Sequence, residues 1–378
     1  MHGFANAAAL ACEGVALAGI AYLIVAIVRI WTFVSTPRAV PDTLPSISVL
    51  KPLYGDEPHL YENLRTFCTQ AYPQYQVVFC VHEASDPAFA IAERLIAEFP
   101  HVDLSVAVKS DFTAANPKVE NLAAGLARAK YDLLVIADSD VRVAPDCLRA
   151  IAAAFSDPKV GAASCLYRGN SQGDLPSALG ALHINGHFAP SVLVAIATEQ
   201  PRFCLGATMA VRRTVLQEIG GLATLGAHLG DDYMLGALTA ERGHAVSIAP
   251  YVVTCMVSEA DFSSNFHHQL RWARTIARQR PIGYACLFVT MPLPFALAGL
   301  LLSLASPLAI AVFVAMLIAR YTLHVSARNA LALCDRGGAR VVPLGDLLEF
   351  AVWVCGFFGN AVNWRARKLR IGNAGQVR

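Results

Sequence analysis

The chain has 378 residues, of which 55% are hydrophobic and only 15% charged, with a mean hydropathy of +0.46. That is too apolar for a wholly soluble enzyme, and a net charge of +2 argues against a nucleic-acid partner held by bulk electrostatics. Ten cysteines are scattered without a Cys-x-x-Cys pair, a pattern of buried thiols in a reducing compartment rather than of a disulfide framework or a zinc site.

From Phe4 to Val28 the residues are almost all apolar, broken mainly by Asn6 and Glu13, and Arg29 and Arg38 follow. A run of that length predicts a bilayer span over residues 1–35. It is too long for the apolar part of a cleaved leader, and its start lacks Lys or Arg. The positive charges after it put the next segment in the cytoplasm. From Ser46 to about Val257 the pattern changes to short apolar strands alternating with helical stretches. Ser46–Leu50, Val77–Val81, Leu104–Val108, Leu133–Ala137 and Gly161–Leu166 read as strands, and segments near 57–70, 87–98, 119–129 and 145–155 read as helices. This alternation predicts an α/β domain over 44–280 built on a mostly parallel, doubly wound sheet.

After Arg280-Pro281 the chain turns apolar again. Residues 281–365 read as membrane or interfacial helices: two short spans in Ile282–Ala319, separated near Ser303–Pro307, and a third candidate, Leu344–Trp364, weakened by Asp346 and Glu349. A basic tail, 366–378, follows. Three spans here would leave that tail outside, against the positive-inside rule, unless the last segment is re-entrant or interfacial.

The strand Leu133–Ala137 ends in Asp138-Ser139-Asp140. In an open α/β sheet the ligand crevice lies beyond the carboxyl ends of the strands. Two acids there repel each other unless they share a cation, and Mg²⁺ or Mn²⁺ held jointly with phosphate oxygens suits them; an acidic, solvated turn is the simpler alternative. Lys51 closes the first strand. Asp86, after the second, could accept from a nucleotide base or cap the helix that Pro87 begins. Lys118 sits at a helix start opened by Asn116-Pro117, where free amides and a cation suit phosphate. The segment Phe203–Met209 could line a sugar pocket or form a core strand. Asp231 and Asp232 begin a helical pattern, as caps or with a carboxylate serving as general base. Last, His268-Gln269-Leu270-Arg271-Trp272 joins cation, ring and donors just before the apolar region, where Arg271 could hold a diphosphate bidentately or attract anionic lipid.

In that order, these residues resemble the motifs of inverting, GT-A-type membrane glycosyltransferases. More narrowly, Lys51-Pro52-Leu53, Tyr72-Pro73, Asp86-Pro87-Ala88, Asn116-Pro117-Lys118, Asn121-Leu122, Gly230-Asp231-Asp232-Tyr233 and Arg271-Trp272 resemble the ceramide glucosyltransferase family. The run from Arg271 to Tyr284 is most similar to the bacterial branch associated with hopanoid biosynthesis. The resemblance covers nearly the whole chain. It implies a GT-A catalytic domain between membrane helices, a cytoplasmic active site at a bacterial inner membrane, a UDP-sugar donor and a lipid acceptor, hopanoid or ceramide. By position it implies Asp86 and Asp138 at the nucleotide, Asp140 on Mg²⁺ or Mn²⁺, Asp232 as catalytic base, and Arg271 with Trp272 at the diphosphate and acceptor end. His187 is similar to a histidine used for the nucleotide sugar. His268 stands where the last motif carries Gln or Arg, a departure from processive polysaccharide synthases.

Overall fold

The computed structural model describes residues 2–37, 41, 43–108, 113–171, 173–333, 338–364, 367–372 and 375–377. Arg38 and, in the basic tail, residues 366, 373, 374 and 378 lie outside them. The chain forms two compact units: one of residues 36–167, 199–256 and 376–378, the other of 1–35, 168–198 and 257–375. These units do not follow the sequence boundaries. Residues 168–198 and 257–280, assigned to the central domain by pattern, group with the apolar helices.

The first unit is built on an eight-stranded sheet. Its strands are β1 (Ile47–Pro52), β2 (Tyr75–Val81), β3 (Asp103–Val108), β4 (Leu133–Ala137), β5 (Val141–Arg142), β6 (Val160–Ser171), β7 (Thr208–Arg212) and β8 (Ala245–Val257), in the order β3-β2-β1-β4-β7-β6-β8-β5. The half from β3 to β4 is parallel, and β7 then runs antiparallel to both β4 and β6. The apolar runs are continuous because both faces are covered. Val49, Val77, Phe79, Leu133 and Val135 pack into one core, and the alternating Leu50, Val78, Cys80, Leu134 and Ile136 into another. The helices Leu60–Cys68, Pro87–Glu98, Pro117–Arg128 and Cys147–Ala154 match the predicted stretches. Cys68, Cys80, Cys147, Cys165, Cys204 and Cys255 are buried free thiols.

In the second unit the N-terminal helix His2–Ser35 packs through Ala16 against Leu293, Ala296, Val312 and Met316. Among the described residues, three helices are long and apolar enough to cross a membrane: Ala5–Ser35, Leu175–Thr198 and Pro307–Ala330. A bent pair, Pro281–Thr290 with Pro292–Leu302, makes a fourth if counted as one span; the bend is 59°. The break expected near Ser303–Pro307 is present, with Leu304 and Ala305 in the left-handed region at φ 49° and 58°. Leu344–Trp364, by contrast, is not one helix. Its helix runs from Val342 to Gly356, 15 residues or about 22 Å, too short for a core of about 30 Å. Ala361–Trp364 and Arg367–Arg370 then pair as an antiparallel hairpin. The span Leu175–Thr198 escaped the sequence reading because His183, Asn185 and His187 interrupt its apolar run. Ile184–Phe188 forms a π-helical turn there.

Candidate functional site

The carboxyl ends of β1 and β4 lie together because the two strands are parallel and in register, Leu50 opposite Ile136. Lys51 therefore reaches the next turn, where its ammonium donates to the Asp138 carbonyl oxygen. Its stem is fully buried, and the ammonium lies 4.1 Å from the centre of the Phe67 ring. Burial lowers its pKa to about 8, against the pull of Asp138, Asp140 and Glu57. The antiparallel start of β7 at Thr208, opposite Ala137, carries the preceding loop to the same edge, where the Asp138 amide donates to the Ala207 carbonyl oxygen at 3.0 Å.

Two helix starts complete this edge. Asn116 caps the helix Pro117–Arg128, its side-chain oxygen accepting from the amides of Lys118 and Val119, while its Nδ2 donates to Asp231 Oδ1 at 3.3 Å. Lys118 Nζ lies 2.8 Å from Asp138 Oδ1 and 3.6 Å from Asp231 Oδ2. Burial opposes the Lys118 charge, but the acids prevail and raise its pKa above the ordinary lysine value. At the other helix start, Asp231–Glu241, Asp232 Oδ1 accepts from the Tyr233 amide at 2.8 Å. Burial first, then the Asp231 charge, raise Asp232 to about 6, with Lys118 acting the other way. A β-carbon on Gly206 would fall 2.8 Å from Asp232 Oδ2, so this loop closes directly on that carboxylate.

Asp140 is raised well into the range of weak acids, chiefly by burial and then by Asp138 and Glu57. The Lys51 ammonium acts the other way without prevailing. Among the described residues, no three or more His, Cys, Asp or Glu side chains form a metal-holding group. Two neighbouring acids fit a hard divalent ion whose remaining ligands come from substrate oxygens and water. Asp86 caps the helix Pro87–Glu98, its carboxylate accepting from the Ala88 amide at 2.9 Å and from the Gly55 amide at 2.9 and 3.1 Å.

Lys51, Lys118, Asp138, Asp140, Asp231 and Asp232 thus come together in the first unit. His187, His268, Arg271 and Trp272 belong to the second. There His187 Nε2 lies 3.0 Å from Asp346 Oδ1, which also accepts from Arg320 Nη2 at 2.7 Å. His268 Nδ1 lies 2.9 Å from Glu259 Oε1. The crowded surroundings of the ring, with Arg271, lower its pKa against the pull of Glu259. The Arg271 guanidinium is 6.0 Å from the Trp272 ring.

Sequence reasoning missed Glu57 and Tyr167, and it named Asn116 as the residue opening the Lys118 helix without a role toward Asp231. Glu57 and Tyr167 couple electrostatically to the acids, and Asn116 binds Asp231. Only Asn116 had a usable signal, as a polar cap directly before Pro117 and Lys118.

In a comparison with known families, residues 12–377 fit the description "Glycosyl transferase family 21". The chain belongs to glycosyl transferase family 21. Ceramide glucosyltransferase 1 of Caenorhabditis elegans is 26% identical over 273 residues, 70% of this chain and 57% of that protein. A ceramide glucosyltransferase of Komagataella phaffii is 35% identical over 113 residues, 29% of this chain and 22% of that one. The chain thus spans little more than half the length of the nematode relative. A solved mannosyltransferase, PcManGT from Pyrobaculum calidifontis in complex with GDP-Man and Mn²⁺, is 21% identical, with a TM-score of 0.54 over 92% of this chain and 99% of that one. That likeness establishes the GT-A-like fold of this family 21 chain.

Proposed function

We propose that the chain is a non-processive, inverting membrane glycosyltransferase that moves a sugar from a UDP-sugar to the hydroxyl of a lipid, with glucose and ceramide as the favoured pair. What carries this reading is the grouping of Lys118, Asp138, Asp231 and Asp232 at the carboxyl ends of β1 and β4, in a family 21 chain. The naming of its relatives as ceramide glucosyltransferases favours ceramide and glucose.

In this reading Asp232 takes the proton of the lipid hydroxyl as that oxygen attacks the anomeric carbon. Its raised pKa suits base work near neutral pH. Lys118 fixes Asp138 and Asp231 around it. Lys51 adds buried positive charge for the diphosphate, and Asp86 and Asp138 serve the nucleotide. Asp140, with Asp138, would hold Mg²⁺ or Mn²⁺, which supplies neutralising charge to the departing diphosphate. Arg271 and Trp272 serve the diphosphate and acceptor, and His187 the nucleotide sugar; the motif resemblance alone supports these roles. The membrane helices suit a lipid acceptor and a catalytic unit on the cytoplasmic face of a bacterial inner membrane.

A hopanoid acceptor with UDP-N-acetylglucosamine is the second reading, favoured by the run from Arg271 to Tyr284. The test is a radiolabelled transfer assay on membranes holding the protein, with UDP-glucose and UDP-N-acetylglucosamine each offered against ceramide and a hopanoid. Label from glucose in ceramide is the expected result, and label from N-acetylglucosamine in the hopanoid moves the assignment to the second reading. No labelled lipid in any arm overturns both.

A further inference from the structure

Trp272 packs against two imidazoles, and each imidazole is held by a carboxylate. The indole centroid lies 4.4 Å from that of His268, with the rings tilted by 56°, and 5.4 Å from that of His183, with the rings nearly parallel at 26°. His268 Nδ1 is 2.9 Å from Glu259 Oε1, and His183 Nδ1 is 2.5 Å from Glu349 Oε2. Glu259 follows β8, His268 lies on the helix Phe262–Gln279, His183 ends the helix Leu175–His183, and Glu349 lies on the helix Val342–Gly356. All five residues belong to the unit of apolar helices. Glu259, His183 and Glu349 are largely buried, whereas the His268 side chain is 39% exposed.

An ionised carboxylate only accepts, so Nδ1 carries the proton in both rings; crowding and Arg271 favour the neutral His268 ring against Glu259, which leaves its Nε2 an acceptor, and Nε2 is the ring nitrogen that Glu349 leaves over in His183. Acceptors set beside an indole suit a ligand that offers O–H donors on an aliphatic frame. Packing alone gives no reason for two carboxylates here, because burying them costs free energy that a phenyl in place of each imidazole would avoid. The titratable side chains facing His268 are Glu259, Arg271 and His183.

We propose that His183 and His268, oriented by Glu349 and Glu259 and set beside Trp272, bind the hydroxylated head of a lipid. The assignment rests on the function proposed above in taking that lipid to be the acceptor. Glu259 and Glu349 are positioning residues, acting through the imidazoles.

The test uses the full chain in nanodiscs, titrated without donor and followed by tryptophan fluorescence, with Trp272→Phe assigning the signal. The probes are short-chain ceramide and a hopanoid polyol, each with its O-methylated counterpart, and UDP-glucose alone. At least one alcohol is expected to bind about tenfold or more tightly than its ether, as loss of a hydrogen bond requires. His183→Phe and His268→Phe lose that preference. Glu259→Gln, whose amide oxygen still accepts from Nδ1, keeps it, while Glu259→Leu loses it. Equal binding of alcohol and ether, a preference untouched in both histidine variants, or a response to UDP-glucose with none to either lipid overturns the site. Selective lipid binding without any transfer of label upholds this site and overturns the transferase reading; transfer without selectivity does the reverse.

Discussion

Lys118 Nζ lies 2.8 Å from Asp138 Oδ1, and through that contact one ammonium ties the carboxyl end of β4 to the helix start at Asp231, 3.6 Å away. The Lys118 side chain is only 10% exposed. Lys118→Met leaves Asp231 without its cation in a place that water reaches poorly, and it is expected to lower stability by about 1–3 kcal/mol while abolishing transfer. Thermal unfolding in detergent checks this. An unchanged midpoint would mean that Asn116 alone holds Asp231.

Asp232 gives a pH dependence of known sign. As the base it must be unprotonated, so kcat/KM should fall as pH drops through about 6. The Asp231 charge helps to raise it, and Asp231→Asn should move that limb to lower pH. Stability runs the other way. A carboxylate whose pKa is higher folded than unfolded destabilises the fold at pH above its folded value, and the cost vanishes as pH falls to the unfolded value. Asp232→Asn should therefore cut transfer by about a thousandfold, to a residual turnover, and yet raise stability by about 1–3 kcal/mol at pH 7.5, a gain that shrinks below pH 6. UDP binding by calorimetry should be retained; its loss would make Asp232 a binding residue.

Asp140 predicts competition between metal and protons. Its raised pKa reflects burial and the charges of Asp138 and Glu57, all of which a divalent cation would offset. Mn²⁺ affinity, read by paramagnetic resonance of the free ion, should fall as pH drops from 8 to 6. Asp140→Asn should weaken it by about tenfold or more at pH 8, by less at pH 6 where protons already occupy the native carboxyl, and cut turnover by about a hundredfold. Turnover that survives a chelator would remove the metal from the reading.

Much of this arrangement was legible beforehand. Leu133–Ala137 announced itself as a strand buried on both faces, and the acids after it followed from where such strands end. The parallel half of the sheet is local in sequence, since each strand and helix reads by its own period. The rest depends on pairing over long distances. Nothing in Thr208–Arg212 says that it lies antiparallel to β4, yet that pairing brings Gly206 and Ala207 to Asp138 and Asp232. Asp86 read equally well as cap or ligand contact, because one carboxylate can do either. Leu175–Thr198 hid its length behind His183, Asn185 and His187, whose partners Glu349, Gly169 and Asp346 are distant in the chain. Polar residues in an apolar helix look like a break until those partners are seen.

Gly206 offers the sharpest test of the base. A β-carbon there would stand 2.8 Å from Asp232 Oδ2 and 3.3 Å from its Cγ. The aspartate stem is short, and its other oxygen is tied to the Tyr233 amide, so the carboxylate cannot move aside and keep its place. Gly206→Ala is expected to cut turnover by about a hundredfold through this displacement, while costing about 1–3 kcal/mol of stability, as overpacking by one methyl does. If the effect passes through Asp232, adding Gly206→Ala to Asp232→Asn causes no further loss of turnover, because the base is already gone. A further loss in the double variant would mean that Gly206 serves the substrate directly, and the close approach to Asp232 would then be incidental to the chemistry.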